Sequence, residues 1–280
     1  MEKHEAFRKL FLDSVDKNVK DGDIISLSGG VDSITLLFAC IHLKKKVECV
    51  TVGLENFRST DVQVASSVTT AFNIPFTYLP IKRSYKNVFT AVYTARDVCD
   101  VVKKTLIQCY YATRGMYDYA LKNGGRLVTG MMADNVYGLG KERMMQKSHQ
   151  GNEYWMWVRK NSYYNFKHVY NDTYLAKIAL EKHGVLIIDP YDEEKFVRFV
   201  LELTYNDQHR PNEKEIVKRA FIDYWSKGKW FRQRDNLQIG SGIREYHDTM
   251  LQSKYNKDRH KKIIGIYNDI AQGRIKYDGE

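Results

Sequence analysis

The stretch Ser28-Gly29-Gly30-Val31-Asp32-Ser33 limits what this chain can fold into more than any other. The apolar run Ile24-Ile25-Ser26-Leu27 precedes it, and Ile34-Thr35-Leu36-Leu37-Phe38-Ala39-Cys40-Ile41 follows. The pattern therefore reads as a strand, a tight glycine turn and the start of a helix. Such a turn leaves backbone N–H groups unpaired and aims the positive end of a helix dipole at whatever lies in it. Glycines let the backbone come close to an anion and take dihedrals that other residues resist. Ser28 and Ser33 add hydroxyl donors, and Asp32 is a hard oxygen ligand for a magnesium ion carried by phosphates. Physical chemistry alone makes this a phosphate site.

The rest of the first half repeats the strand–helix alternation. An amphipathic helix over residues 5–18 leads in, with Phe7, Leu10, Phe11 and Val15 on one face. Strand Asp23–Leu27 and helix Val31–Leu43 follow, then strand Val47–Leu54, helix Thr60–Phe72 and strand Phe76–Ile81. A helical region from about Val98 to Leu121 leads through Asn123-Gly124-Gly125 to a strand over Arg126–Gly130. This spacing predicts an α/β fold, a parallel sheet with helices on both faces. Ligands of such sheets bind outside the carboxyl ends of the strands, so the loops after Leu27, Val52 and Thr129 should face one another.

Beyond Gly130 the character changes. Residues 137–168 are rich in Met, Trp and Tyr, and read as a helical core or lid, with a stacking platform as the alternative. A helix from Thr173 to His183, the apolar run Val185–Ile188, a helical stretch from Glu193, another over Lys214–Trp225 and a basic loop at Lys229–Gly242 follow. The expected division is an α/β core over residues 1–136 and a helix-rich carboxyl-terminal region over 137–280 that binds the acceptor.

The formal charge of +10, from 44 basic and 34 acidic residues, suits a polyanionic partner or simple solubility. No run approaches the length of a membrane span, and the charged start Met1-Glu2-Lys3-His4-Glu5 is unlike a secretion signal. The cysteines Cys40, Cys49, Cys99 and Cys109 show no CxxC spacing, so small buried thiols in a cytoplasmic protein are expected.

The hexapeptide resembles the pyrophosphate loop of the N-type ATP pyrophosphatases, and it lacks the lysine of a Walker loop. Further patterns resemble the synthetase domain of the asparagine synthetase family, in order. They are Thr51–Leu54 with Ser59-Thr60-Asp61, Thr129–Gly138, Pro190-Tyr191-Asp192 with Phe196–Leu203, Glu213-Lys214 through Ala220, and Arg232–Asn236 with Gly240-Ser241-Gly242. The resemblance implies an adenine nucleotide alpha hydrolase-like fold and a ligase or amidotransferase. Such an enzyme adenylates a carboxylate or carbonyl of an acceptor, releases pyrophosphate, and then transfers nitrogen from ammonia or an amine.

Carried over by position, it implies ATP contacts from Leu27, Ser28, Gly29, Gly30, Asp32, Ser33, Val52, Gly53 and Gly130. It implies magnesium on Asp32 and Asp134, and catalytic roles for Asp32, Arg234 and Lys214. Arg234 stands where the family carries a lysine, and a flat guanidinium fork is not equivalent to an ammonium. Lys214 reads equally as a phosphate partner or a solvent-facing helix lysine. The family's loop glutamate falls on Met131, which cannot move a proton, and its second acid on Asn135; Glu142 is the nearest substitute. No glutaminase segment precedes the loop, so nitrogen is expected as free ammonia, as a substrate amine or from a separate protein. Two alternatives stand beside the small-molecule acceptor: a nucleotide or nucleic-acid substrate, and a catalytically silent nucleotide-binding subunit.

Overall fold

A computed structural model describes residues 1–57, 59–137, 151–166, 181, 184–231, 240–255 and 262–279. Five strands form one parallel sheet flanked by helices, in the order β3-β2-β1-β4-β5. They are β1 (Ile24–Ser26), β2 (Glu48–Leu54), β3 (Phe76–Ile81), β4 (Arg126–Val128) and β5 (Leu186–Ile188). The chain steps outward from β1 through β2 to β3, then returns to the other side for β4 and β5. The strand order thus reverses between β1 and β4, where open α/β sheets bind ligands.

Burial explains the strands. All of β2 after Glu48 is buried, as a strand covered on both faces requires. β3 lies at the edge, alternates in exposure and carries Pro80, which an edge strand tolerates. The two pair in register from Cys49 opposite Phe76 to Leu54 opposite Ile81.

The chain divides into two compact units. The first comprises Met1–Glu48, Val128–Asn171 and Ile188–Arg232. Its helices include α1 (Lys3–Asn18), α2 (Val31–His42), α6 (Ala133–Tyr137) and α7 (Gly151–Phe166). A 3-10 turn over Pro190–Asp192, α8 (Glu194–Glu202), α9 (Tyr205–His209), α10 (Glu215–Ala220) and α11 (Ile222–Trp225) complete it. α1 starts at a capping box between Glu2 and Glu5 and buries Phe7, Phe11 and Val15. Its rings meet those of the carboxyl-terminal elements: Phe11 lies 4.5 Å from Tyr191 and 5.2 Å from Phe196, and Phe7 lies 5.1 Å from Phe196. Burying each such ring contributes roughly 2 kcal/mol before entropy.

The second unit comprises Cys49–Leu127, Asp172–Ile187 and Gln233–Glu280. It contains α3 (Thr60–Ala71), α4 (Tyr85–Cys99), α5 (Lys104–Lys122), α12 (Ile243–Tyr255) and α13 (Ile263–Ala271). Ser59 caps α3 by accepting the Val62 N–H. The spacing of Val88, Phe89, Val92 and Ala95 buries one face of α4, a helix outside the segments read from the sequence. Buried His247 and Tyr267 share a 2.6 Å hydrogen bond here. Burial lowers the His247 pKa to about 3, so the ring is neutral.

Cys40 and Cys49 are buried thiols, and burial raises the Cys40 pKa to about 12. Among the described residues no helix is long and apolar enough to cross a membrane. The helix expected over Thr173–His183, residues 138–150 of the aromatic segment and most of the basic loop lie outside the described residues.

Candidate functional site

The expected turn forms in the first unit, between β1 and α2. Gly29 takes φ +69°, which a side chain would strain, and Gly30 caps α2 in an extended conformation with no side-chain cap. Ser33 Oγ donates to the Gly30 carbonyl and accepts the Ser28 backbone N–H, each at 3.1 Å, while Ser28 Oγ lies 3.0 Å away. The two serines thus brace the loop from within. Leu27 is fully buried beneath it.

Asp32, on the first turn of α2, meets a cation that is distant in sequence. Lys214 Nζ donates to its two carboxylate oxygens at 2.7 and 2.6 Å and to Asp134 Oδ1 at 2.9 Å. It also lies 5.2 Å from the Tyr137 ring centroid, a cation–π contact. The Lys214 side chain is 9% exposed and that of Asp32 19%, whereas Asp134 keeps 67%. Burial pulls the lysine pKa down, but Asp32 and Asp134 together outweigh burial and hold it above the ordinary value. The ammonium therefore stays charged. The Lys214 side chain therefore does not face solvent, as one of its two sequence readings had it.

Its inward direction follows from an unusual backbone. Lys214 caps α10 in the left-handed region, at φ 56° and ψ 31°. That conformation costs a non-glycine residue about 1–2 kcal/mol. Its backbone N–H donates to His209 Nδ1 at 3.1 Å, and the other ring nitrogen lies 3.3 Å from the Tyr137 carbonyl oxygen.

The loop after β4 is fixed from below by Asp189. One carboxylate oxygen accepts from Thr129 Oγ1 and the Met132 N–H at 3.2 and 2.9 Å, and the other from the Tyr191 N–H at 3.1 Å. Burial raises the Asp189 pKa to about 7 against the pull of these donors. Tyr191 donates its hydroxyl to the Asp32 backbone carbonyl at 2.9 Å. Gly130 permits the approach: a Cβ there would meet Asp32 Cβ at 3.3 Å and Tyr191 Cε2 at 3.4 Å. Burial first, then nearby charge, raises the Tyr137 and Tyr191 hydroxyls well above the usual phenol range. Both stay protonated.

Of the residues expected at the site, this unit brings together Ser28, Gly29, Gly30, Asp32, Ser33, Gly130, Asp134 and Lys214. Val52 and Gly53 belong to the second unit, on β2. There Val52 is buried, and Tyr78 donates its hydroxyl to the Gly53 carbonyl at 3.2 Å. Arg234 and Glu142 lie outside the described residues. Asn135 turns its amide toward Met132 Sδ at 3.6 Å.

Asp32 and Asp134 are hard oxygen donors of the kind magnesium takes, but the point on which they converge is held by the Lys214 ammonium, and only the more exposed, Asp134, is open to an ion that retains water and phosphate ligands. Among the described residues no group of three or more His, Cys, Asp or Glu side chains could hold a metal by itself. Such an ion would therefore take its remaining ligands from outside the protein.

The sequence reading gave no site role to Tyr137, Asp189, Tyr191 or His209. Asp189 carried a signal, since Asp directly before Pro marks the cap of a turn. Tyr137 and Tyr191 act through partners far away in sequence, and His209 through Tyr137 and through Lys214, five residues on.

A profile of the asparagine synthase family matches residues 6–182. A comparison with curated proteins found no match. Among solved structures, the U34-tRNA thiolase NcsA of Methanococcus maripaludis is 13% identical, with a TM-score of 0.40, over 96% of this chain and 78% of that one. The ammonia-dependent NAD synthetase of Campylobacter jejuni is 13% identical, with a TM-score of 0.36, over 99% of this chain and 97% of that one. The NMN synthetase of Francisella tularensis is 16% identical, with a TM-score of 0.35, over 84% of this chain and 97% of that one.

Proposed function

The chain belongs to the asparagine synthase family, a family of ATP-using synthetases, and from that premise we propose that it is an ATP-dependent ligase forming AMP and pyrophosphate. In this reading a carboxylate or carbonyl oxygen of a small-molecule acceptor attacks the α-phosphorus of ATP. The α–β bond breaks, pyrophosphate leaves with the bond electrons, and ammonia or an amine then displaces AMP. The observation that carries the reading is the Lys214 ammonium, held by Asp32 and Asp134 beside the Ser28–Ser33 turn.

Each group has work to do on this reading. The turn's backbone N–H groups and the α2 dipole take the phosphates. Ser28 and Ser33 keep the loop in shape, and Lys214 meets the charge that builds on the leaving phosphates. Magnesium, bound through Asp32 and Asp134, would shield the phosphates as a Lewis acid. Leu27, Val52, Gly53 and Gly130 are proposed for nucleoside contact, and Arg234 as a second cation, on the family pattern alone. The helix-rich residues after 136 are proposed to carry the acceptor, and a separate protein is one source of its nitrogen.

Product analysis by mass spectrometry tests this directly. Mg-ATP and ammonia are supplied with aspartate, other amino acids, nucleotides, tRNA or DNA. Acceptor-dependent AMP and pyrophosphate are expected, and the mass gained identifies the nitrogen donor. Modified tRNA or DNA in place of a small product would move the acceptor to nucleic acid. ADP and phosphate as the only products would refute the reading.

A further inference from the structure

The left-handed Lys214 needs something to hold it, and His209 is the side chain that does so. His209 closes α9, is 3% exposed, and touches both Lys214 and α6, the helix that carries Asp134. Its Nδ1 lies 3.1 Å from the Lys214 backbone nitrogen, which can only donate. Its Nε2 lies 3.3 Å from the Tyr137 carbonyl oxygen, which can only accept. One protonation state satisfies both contacts: the neutral imidazole with its proton on Nε2. The ring is further confined by Trp155, edge-on at 5.9 Å, and by Tyr205 at 5.0 Å.

The two contacts have different consequences. The bond at Nδ1 fixes the residue whose Nζ reaches Asp32 and Asp134. The bond at Nε2 fixes the last residue of α6, the five-residue helix that carries Asp134. A single neutral ring therefore sets the spacing between ammonium and carboxylate.

We propose that His209 is a positioning residue for the ATP site: as the Nε2–H tautomer it locks Lys214 in its left-handed conformation and holds α6 at the distance at which Lys214 Nζ meets Asp134. The role in turnover rests on the ligase reading, while the positioning itself does not. His209 acts through the backbones of Lys214 and Tyr137.

Two substitutions separate bonding from packing. His209→Phe keeps an aromatic ring against Trp155 and Tyr205 but offers neither nitrogen. His209→Asn places a carbonyl oxygen where Nδ1 stood and keeps the bond to the Lys214 N–H. Three measurements are made on the full chain. Long-range proton–nitrogen NMR of histidine-labelled protein reads the tautomer. The side-chain ammonium signal of Lys214, slowed in exchange by burial and assigned by its loss in Lys214→Met, reads the ion cluster. AMP formation from Mg-ATP reads function.

The wild type should show the Nε2–H tautomer and a protected ammonium signal. Phe should abolish that signal and lower kcat for AMP formation about 30-fold with the fold retained, as lost preorganisation would. Asn keeps the bond to Lys214 but loses the one to α6, so it should retain a weakened signal and lose about tenfold, less than Phe. An Nδ1–H tautomer, a retained signal in the Phe variant, or an Asn variant as damaged as Phe would overturn the proposal. If wild type shows the protected signal but forms no AMP, the ligase reading fails and the positioning stands.

Discussion

Replacing Lys214 by methionine removes one charge from an aliphatic stem of similar length, and the structure sets the size of the effect. The ammonium makes three contacts of 2.6–2.9 Å, and nine-tenths of the side chain is out of water. Without it, the Asp32 carboxylate is left 19% exposed and faces Asp134. Removing one partner of a buried ion pair costs about 3–5 kcal/mol. The lower end applies here, because Asp32 keeps some hydration and Asp134, two-thirds exposed, is screened by solvent. For 280 residues melting together, the entropy of unfolding is about 0.6 kcal/mol per degree, so the melting temperature should fall by ~5 °C. Methionine is strained in the left-handed region much as lysine is, so strain does not enter the comparison. The pKa shift fixes the sign with pH. A raised lysine contributes fully below its ordinary value of about 10.5 and loses that contribution only above the folded value. The deficit should therefore be flat from about pH 6 to 9, and nearly insensitive to 0.5 M salt. Thermal melts of wild type, Lys214→Met, Asp32→Asn and the double variant form the cycle, with ~2 kcal/mol of coupling expected. AMP formation by Lys214→Met should fall ~100-fold. A variant melting within 1 °C of wild type, or additive single effects, would refute the reasoning.

Three further perturbations follow from the same unit. Asp189, raised to about 7, binds its proton more tightly folded than unfolded, so its contribution is complete below about pH 4 and is lost as pH rises through 7. Urea titrations should show wild type losing up to about 4 kcal/mol relative to Asp189→Asn across that window, and parallel profiles would contradict the assignment. Gly130→Ala pushes a methyl group toward Asp32 Cβ and Tyr191. It should destabilise by about 1–2 kcal/mol and weaken Mg-ATP binding ~10-fold by calorimetry, whereas unchanged affinity would mean that the close approach is incidental. Arg159 is fully buried, its guanidinium donating to the carbonyls of Val200 and Leu203 and lying 4.1 Å from the Trp155 ring centroid. Burial lowers its pKa to about 9. Arg159→Lys cannot fork between two carbonyls and should cost about 2–3 kcal/mol in chemical denaturation; a loss below 0.5 kcal/mol would show that one carbonyl suffices.

The fold was legible wherever local pattern and burial coincide. β3 keeps its expected ends, while α2, β2 and α3 shift by a single residue, because each is a buried run bounded by glycine or a cap. α4 escaped because its apolar face is interrupted by Asn87, Thr90, Tyr93 and Thr94, and its start at Ser84 looks like a loop residue. The lysine at 214 divided evenly between two readings for a physical reason. A lysine at a helix start ordinarily faces water, and only its positive φ turns the side chain inward. Nothing within ten residues of it announces that.

The same logic explains why the glycine turn could be read from its own residues, whereas Lys214 was a candidate balanced against a solvent-facing lysine. A phosphate turn is local: glycine freedom, serine hydroxyls and a helix start lie within six residues, so the sequence displays the whole device. An ion cluster that spans residues 32 to 214 is assembled by the fold, and no member's neighbourhood shows that it will meet the other two. The asymmetry within the cluster has functional weight on the proposed reading. Two carboxylates alone would repel a polyphosphate. With Lys214 between them the formal charge of the trio is reduced to a single negative one, which the turn's N–H groups and a magnesium ion can offset. The less exposed member, Asp32, holds the lysine with both oxygens, and the exposed member, Asp134, is the one from which an incoming ion can displace it. Neutralising Asp134 should accordingly weaken metal dependence more than stability, and neutralising Asp32 should do the reverse.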